Sequence, residues 1–318
     1  MCGKLGAVQV KLRVAPKTFP EAKKNADSKR CGKADSTQIS QSLHLFGRFL
    51  VSHIEMKTIE PDTVREHVRA RYGNIAVNGG GCCGSVDGCC GSENSCDQRL
   101  GYSAVHVASV PEGSNLGLGC ANPMAIASIR PGETILDLGS GAGFDCFLAA
   151  RQLNGTGRVI GVDMTPAMIA KARNNIRKGR YTNVEFRLGE IEALPVADNF
   201  VDLVISNCVI NLSPEKPRVF REAFRVLKAG GRLALADVVA IKPLPESIRT
   251  QLNAIGACIG GAALVDDLKT MLKDAGFIRI EVVPRDETRS LINQWTEDEI
   301  ASDFVVSAFV TAFKAAQT

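Results

Sequence analysis

From about residue 130 onward, short apolar runs and amphipathic stretches take turns along the chain. Thr134-Ile135-Leu136 runs into Asp137, and Phe147, Leu148, Ala149 and Ala150 follow in a helix-like pattern. Gly157 to Asp163 reads as a second strand ending in an acid. Pro166 to Lys178 reads as a helix with Ala167, Ile169, Ala170 and Ala172 on one side. Val184 to Glu190 gives a third strand and Phe200 to Asn207 a fourth. A helix over Val219 to Leu227 stops at Lys228-Ala229-Gly230-Gly231, a helix stop followed by a turn, and Arg232 to Val239 gives a fifth strand. Such alternation predicts an α/β fold, a doubly wound and mostly parallel sheet covered on both faces.

The first 55 residues show no such period. They are polar, basic and rich in turn formers, which predicts a solvated, dispensable extension, with a transit peptide as the alternative reading. Pro61 to Tyr72 then reads as a capped, charged helix. The expected organisation is an extension over 1–55, an N-terminal helix and Cys-rich loop over 56–125, and the α/β domain over 126–318. Composition changes this picture little. With 45% apolar residues the chain can bury a core, and no apolar run approaches the length of a membrane span. The net charge of +4 is unevenly placed: residues 1–55 hold ten Lys or Arg against four acids, and the remainder 28 bases against 30 acids. A near-neutral body with little aromatic interleaving among its bases argues against a nucleic-acid partner. No signal peptide is evident, since Lys11 and Arg13 interrupt Val8 to Val14, so a cytoplasmic protein without a membrane partner is expected, and a monomer is the expected state.

Chemistry concentrates where the first strand ends. Asp137-Leu138-Gly139-Ser140-Gly141-Ala142-Gly143 is a glycine-rich turn that brings bare backbone close to a nucleotide-like ligand. A dinucleotide turn spaces its glycines G-x-G-x-x-G, whereas here the third arrives one residue early. That spacing suits S-adenosylmethionine, which has no pyrophosphate to hold at the helix N-terminus. Asp163 then ends the second strand, where a doubly wound sheet places a carboxylate for ribose hydroxyls, and Glu190 ends the third.

This order resembles the class I S-adenosylmethionine-dependent methyltransferases over roughly residues 130–240. The resemblance implies that Asp137, Gly139, Ser140, Gly141 and Gly143 face the amino-acid part of the cofactor. Asp163 would accept from the ribose, Met164 would pack on the adenine, and Glu190 with Ile191 would meet its edge. Asn207, at the end of the fourth strand, completes the set. It also implies two last strands, Gly276 to Val283 and Phe304 to Val310, as an antiparallel pair that brings the sheet to seven.

Eleven cysteines are many for such an enzyme. Cys82-Cys83, Cys89-Cys90 and Cys96 lie in a Gly/Ser/Asn-rich stretch that cannot build a core, which points to reactivity, metal or cross-linking. Adjacent cysteines are awkward zinc ligands and no C-x-x-C pair occurs there, so no structural metal is expected and redox-active or metalloid-shuttling thiols are preferred. Cys146 reads as a small buried hydrophobe. Cys120, Cys208 and Cys258 sit in loops that can converge above the cofactor, where three soft thiols suit a thiophilic centre such as As(III).

Three segments carry a closer resemblance: Gly113-Ser114-Asn115-Leu116-Gly117-Leu118-Gly119-Cys120, Ser206-Asn207-Cys208-Val209-Ile210-Asn211-Leu212, and Gly256-Ala257-Cys258-Ile259-Gly260-Gly261-Ala262. They are similar to the arsenite methyltransferase family, from about Pro61 to the C-terminus. Some relatives have an acid where Ala257 stands. The resemblance implies that Cys208 and Cys258 bind As(III), that Cys120 joins them or a disulfide relay, and that Cys82 or Cys83 is the relay partner. It implies arsenite supplied as a thiol conjugate and a reductant of thioredoxin or glutathione type. No general base is needed, since arsenic has no proton to lose, and His44, His53, His67 and His106 read as surface residues. Two alternatives stay open at this point: a C- or O-methyltransferase of the quinone or sterol type, and a non-catalytic thiol-based metalloid-binding protein.

Overall fold

The computed structural model describes residues 59–79, 96–293, 295 and 300–317, all within the unit Lys57–Thr318. Five apolar runs become the parallel strands β1 Thr134–Leu138, β2 Arg158–Asp163, β3 Val184–Leu188, β4 Val201–Asn207 and β5 Leu227–Ala240. Two more, β6 Ile278–Arg285 and β7 Val305–Phe313, run antiparallel, and the sheet order is β3-β2-β1-β4-β5-β7-β6. The principal helices are α1 Pro61–Asn78, α2 Phe144–Gln152, α3 Pro166–Gly179, α4 Lys216–Val226 and α5 Val265–Asp274.

Both faces of the central strands are covered, which is why they read as continuous apolar runs rather than as alternating ones. The side-chain period of two still sorts them between two core layers. Ile135, Leu203 and Ile205 join Phe147 on one side, while Leu136, Leu138 and Val204 join Phe220 and Leu235 on the other. Each fully buried side chain of this kind contributes roughly 1.5–3 kcal/mol. At the opposite end of the sheet from the strand C-termini, Arg232 is buried and forks onto Glu133 at 2.7 and 2.9 Å, with further bonds to Ala127 O and Ser128 O.

Four expectations are revised. Lys228 to Gly231 is not a free turn: α4 stops at Val226 and the chain is already extended at Leu227, which pairs with Val201. The register then jumps to Leu203 opposite Arg232, so a bulge absorbs the extra residues and one strand runs through. Helix α1 continues past Tyr72 to Asn78 because Ile75 and Ala76 pack on Met168, and no side chain caps its N-terminus. The buried stripe of α3 is Met168, Ile169, Ala172 and Asn175, leaving Ala170 exposed. Strand β3 ends at Leu188, so Glu190 lies in the connection that follows.

Candidate active site

The carboxyl ends of β1, β2 and β4 open into a cleft. Its floor is the glycine turn, held to β2 by Gly139 N–H and Ser140 N–H, both donating to Val162 O at 2.8 and 3.0 Å. Gly139 has φ +67°, and a Cβ there would lie 2.4 Å from the Val209 side chain, so only glycine fits. Asp163, buried at the end of β2, accepts Gly141 N–H at 2.9 Å on one oxygen and Thr165 N–H at 2.8 Å on the other. Burial pushes its carboxyl above the ordinary range, and those two N–H groups pull it back. The Ser140 hydroxyl is buried in the same turn without a hydrogen-bond partner. An unpaired hydroxyl beside bare backbone and an accepting carboxylate is a set of polar groups that fits the amino-acid and ribose parts of S-adenosylmethionine.

The other expected cofactor residues fall unevenly around this cleft. Asp137, Met164, Ile191 and Asn207 line it. Asp137 accepts the Cys146 thiol at 3.2 Å; burial and the neighbouring Asp145 carboxyl push it well above the ordinary range. Glu190 instead turns to Arg69, with which it pairs at 3.1 Å, and Glu192 is the acid in the wall. Glu192 is buried, accepts Ser213 Oγ at 2.6 Å and lies 3.6 Å from Arg65. Sequence reasoning missed it because β3 ends two residues earlier than its pattern suggests. Arg65 also bonds Glu215, and Arg65, Val68 and Tyr72 of α1 line the cleft. The charged face of α1 is therefore committed to the site, a role its pattern did not reveal. His67 also departs from a surface reading: its Nε2 is buried and unpartnered, because α1 packs on the short helix Leu252–Gly256. Cys146 is fully buried, as expected of a small hydrophobe.

Three thiols gather next to this cleft. Cys120, Cys208 and Cys258 are each at most 4% exposed. Asn207 holds the first: its Oδ1 accepts Cys120 N–H at 3.1 Å, while its Nδ2 donates to Tyr102 OH at 2.9 Å and Asp145 Oδ2 at 3.0 Å. A Cβ at Gly119 would lie 2.6 Å from that amide, so glycine is needed there for close approach. Cys208 follows β4 with φ +57°, and Cys258 follows the helix Leu252–Gly256 with φ +64°. The Cys120 and Cys208 Sγ atoms lie within 4.8 Å of each other, and Cys258 Sγ donates to Cys208 O at 2.8 Å. Burial pushes the Cys120 thiol up and the Cys208 thiol well up.

A carboxylate oxygen of Asp237 and the Sγ atoms of Cys120 and Cys208 all lie within 4.8 Å of one another. Burial raises the Asp237 carboxyl to about 6, and burial lowers the nearby Lys216 ammonium to about 8. Asp237 was also missed from the sequence, although a lone acid inside Leu235-Ala236-Asp237-Val238-Val239 was a usable signal. Cys82, Cys83, Cys89 and Cys90 lie outside the described residues, as do His44 and His53. Among the described residues no helix is long and apolar enough to cross a membrane.

A family profile described as "Methyltransferase domain" matches residues 129–276. The chain is 52% identical over 267 residues to an arsenite methyltransferase of Halobacterium salinarum, covering 81% of this chain and 68% of that protein. It is 39% identical over 196 residues to the human arsenite methyltransferase, covering 58% of this chain and 51% of that one. Among solved structures, an arsenic(III) S-adenosylmethionine methyltransferase from Chlamydomonas reinhardtii matches with 31% identity and a TM-score of 0.50, over 70% of this chain and 73% of that chain. With the haloarchaeal relative matched at 52% identity over more than two thirds of its length, the chain belongs to the arsenite methyltransferase family.

Proposed function

We propose that this chain transfers the methyl group of S-adenosylmethionine to trivalent arsenic held by Cys120, Cys208 and Cys258. The observation that supports it best is the convergence of these three buried thiols beside the glycine-turn cleft. When bound, S-adenosylmethionine supplies an electrophilic methyl on a sulfonium. The chain's part is to hold and orient. The glycine turn and Asp137 take the amino-acid end, Asp163 the ribose, and Met164 with Ile191 the adenine. Asn207 ties the Cys120 loop to the cofactor floor. Thiolate ligation leaves the arsenic lone pair free, so rate follows from holding it collinear with the methyl and the leaving sulfur.

Each transfer leaves arsenic pentavalent. In this reading two electrons return it to the trivalent state as Cys120 and either Cys82 or Cys83 close a disulfide, which a thioredoxin- or glutathione-type thiol reopens. Arsenite arrives as a thiol conjugate, and exchange passes the thiol protons to the departing thiolates. The reading includes a cytoplasmic monomer, with no structural metal, nucleic acid or membrane partner.

Incubating the purified chain with arsenite, thiol and S-adenosylmethionine and speciating the arsenic tests this. Methylated arsenicals are expected; unmethylated arsenic that stays bound would indicate sequestration, and neither binding nor turnover would favour an apolar substrate. Asp163→Ala should weaken S-adenosylmethionine binding by about 1–3 kcal/mol through the lost ribose acceptor. Unchanged calorimetric affinity would contradict the cofactor placement.

A further inference from the structure

Asp237 sits in β5 between apolar neighbours and is 4% exposed. Three neutral donors fix its carboxylate: Ile210 N–H at 2.8 Å on one oxygen, and Asn211 Nδ2 at 2.9 Å and Val238 N–H at 2.8 Å on the other. They aim the negative charge without cancelling it. Lys216 acts on it electrostatically but donates its own hydrogen bond to Ser213 O at 3.0 Å. The carboxylate thus stands within 4.8 Å of the Cys120 and Cys208 sulfurs, on the side where the thiols gather.

Methyl transfer moves charge across this space. The arsenic lone pair forms the As–C bond as the C–S bond breaks, and the C–S electron pair stays on sulfur. An arsenic bound by three thiolates is neutral before the step and carries one positive charge after it. A buried anion near arsenic therefore favours the transition state over the ground state, and being already oriented it needs no reorganisation. We propose that the Asp237 carboxylate is the counter-charge for the positive charge that develops on arsenic during methylation. This rests on Cys120, Cys208 and Cys258 being the arsenic ligands. A purely architectural role would be to clamp the turn at Ile210 and Asn211, and the two roles make different demands on binding and rate.

Asp237→Asn keeps shape and removes charge. Its single-turnover methylation of arsenite should fall about 10–100-fold, while calorimetric affinities for arsenite and S-adenosylmethionine stay within about threefold of the wild type. A separate equilibrium readout uses tetramethylarsonium, a fixed arsenic cation: it should compete with arsenite for the wild type and bind at least about tenfold more weakly to Asp237→Asn. Methylation within about twofold of the wild type, or a loss of arsenite affinity matching the loss of rate, overturns the proposal. Should the variant fail to fold, the wild type alone decides, because absence of competition by tetramethylarsonium also overturns it. Failure of the underlying reading looks different: the wild type itself would then not methylate arsenite.

Discussion

Cys208 and Cys258 combine burial with left-handed backbone, at φ +57° and +64°. Such a conformation costs a non-glycine residue on the order of 1–2 kcal/mol, and glycine would relieve it. That the chain carries cysteine at both positions puts the value of these residues in the sulfur. Serine keeps the size but replaces a soft ligand with a hard, protonated hydroxyl. Cys208→Ser and Cys258→Ser should each reduce arsenite methylation below about 1% of wild type, a loss of more than about 2.7 kcal/mol in transition-state stabilisation. S-adenosylmethionine affinity should stay near normal in both, which calorimetry checks. Normal methylation of arsenite by either variant would remove that cysteine from the arsenic site.

At the scale of elements, the catalytic end and the stabilising end of the sheet are separate. The strand C-termini carry the cleft, whereas Arg232 of β5 and Glu133, just before β1, pair in the interior at the other end. Breaking a buried pair leaves an uncompensated charge, whereas replacing both partners with apolar groups removes the need for one. Glu133→Gln should therefore lower the stability to urea by about 3 kcal/mol, and Glu133→Leu with Arg232→Met should recover most of it. The cofactor affinity of the folded single variant should not change. A double variant no more stable than the single one would show that the pair holds Ala127 and Ser128 in place rather than merely neutralising a charge. Helix α1 belongs to the catalytic end, because Arg65 and Arg69 tie it to Glu215 and Glu190 in the connections after β4 and β3.

For the whole molecule, residues 1–55 are expected to be dispensable, since their sequence offers neither periodic apolar faces nor strand-end chemistry. A chain beginning at Met56 should fold and methylate arsenite at a rate within about twofold of the full chain. Loss of activity with the far-ultraviolet spectrum unchanged would assign that segment a role. Cys82 and Cys83 are a separate matter: under the proposed redox reset one of them is needed for repeated turnover and not for a first methylation.

The parallel strands and the glycine turn were legible in the sequence because each depends on local constraints, and so was the position of Asp163 at the end of β2. Burial on both faces forces continuous apolar runs, a tight turn requires glycine, and a strand must end where its ligand begins. Four features were decided only in three dimensions. The bulge that carries β5 through Lys228 to Gly231 depends on pairing with β4, which no local turn signal contains. Glu192 rather than Glu190 faces the cleft because Arg69, 121 positions away, draws Glu190 aside. The assignment of α1 to the cleft follows from the ion pairs Arg65 makes with residues of distant loops. Asp237 gains its meaning from Cys120 and Cys208, which folding brings within 4.8 Å of it. Local patterns record the conformation each segment must adopt, but the partner of a charge is a matter of distance, and only the packed chain sets that.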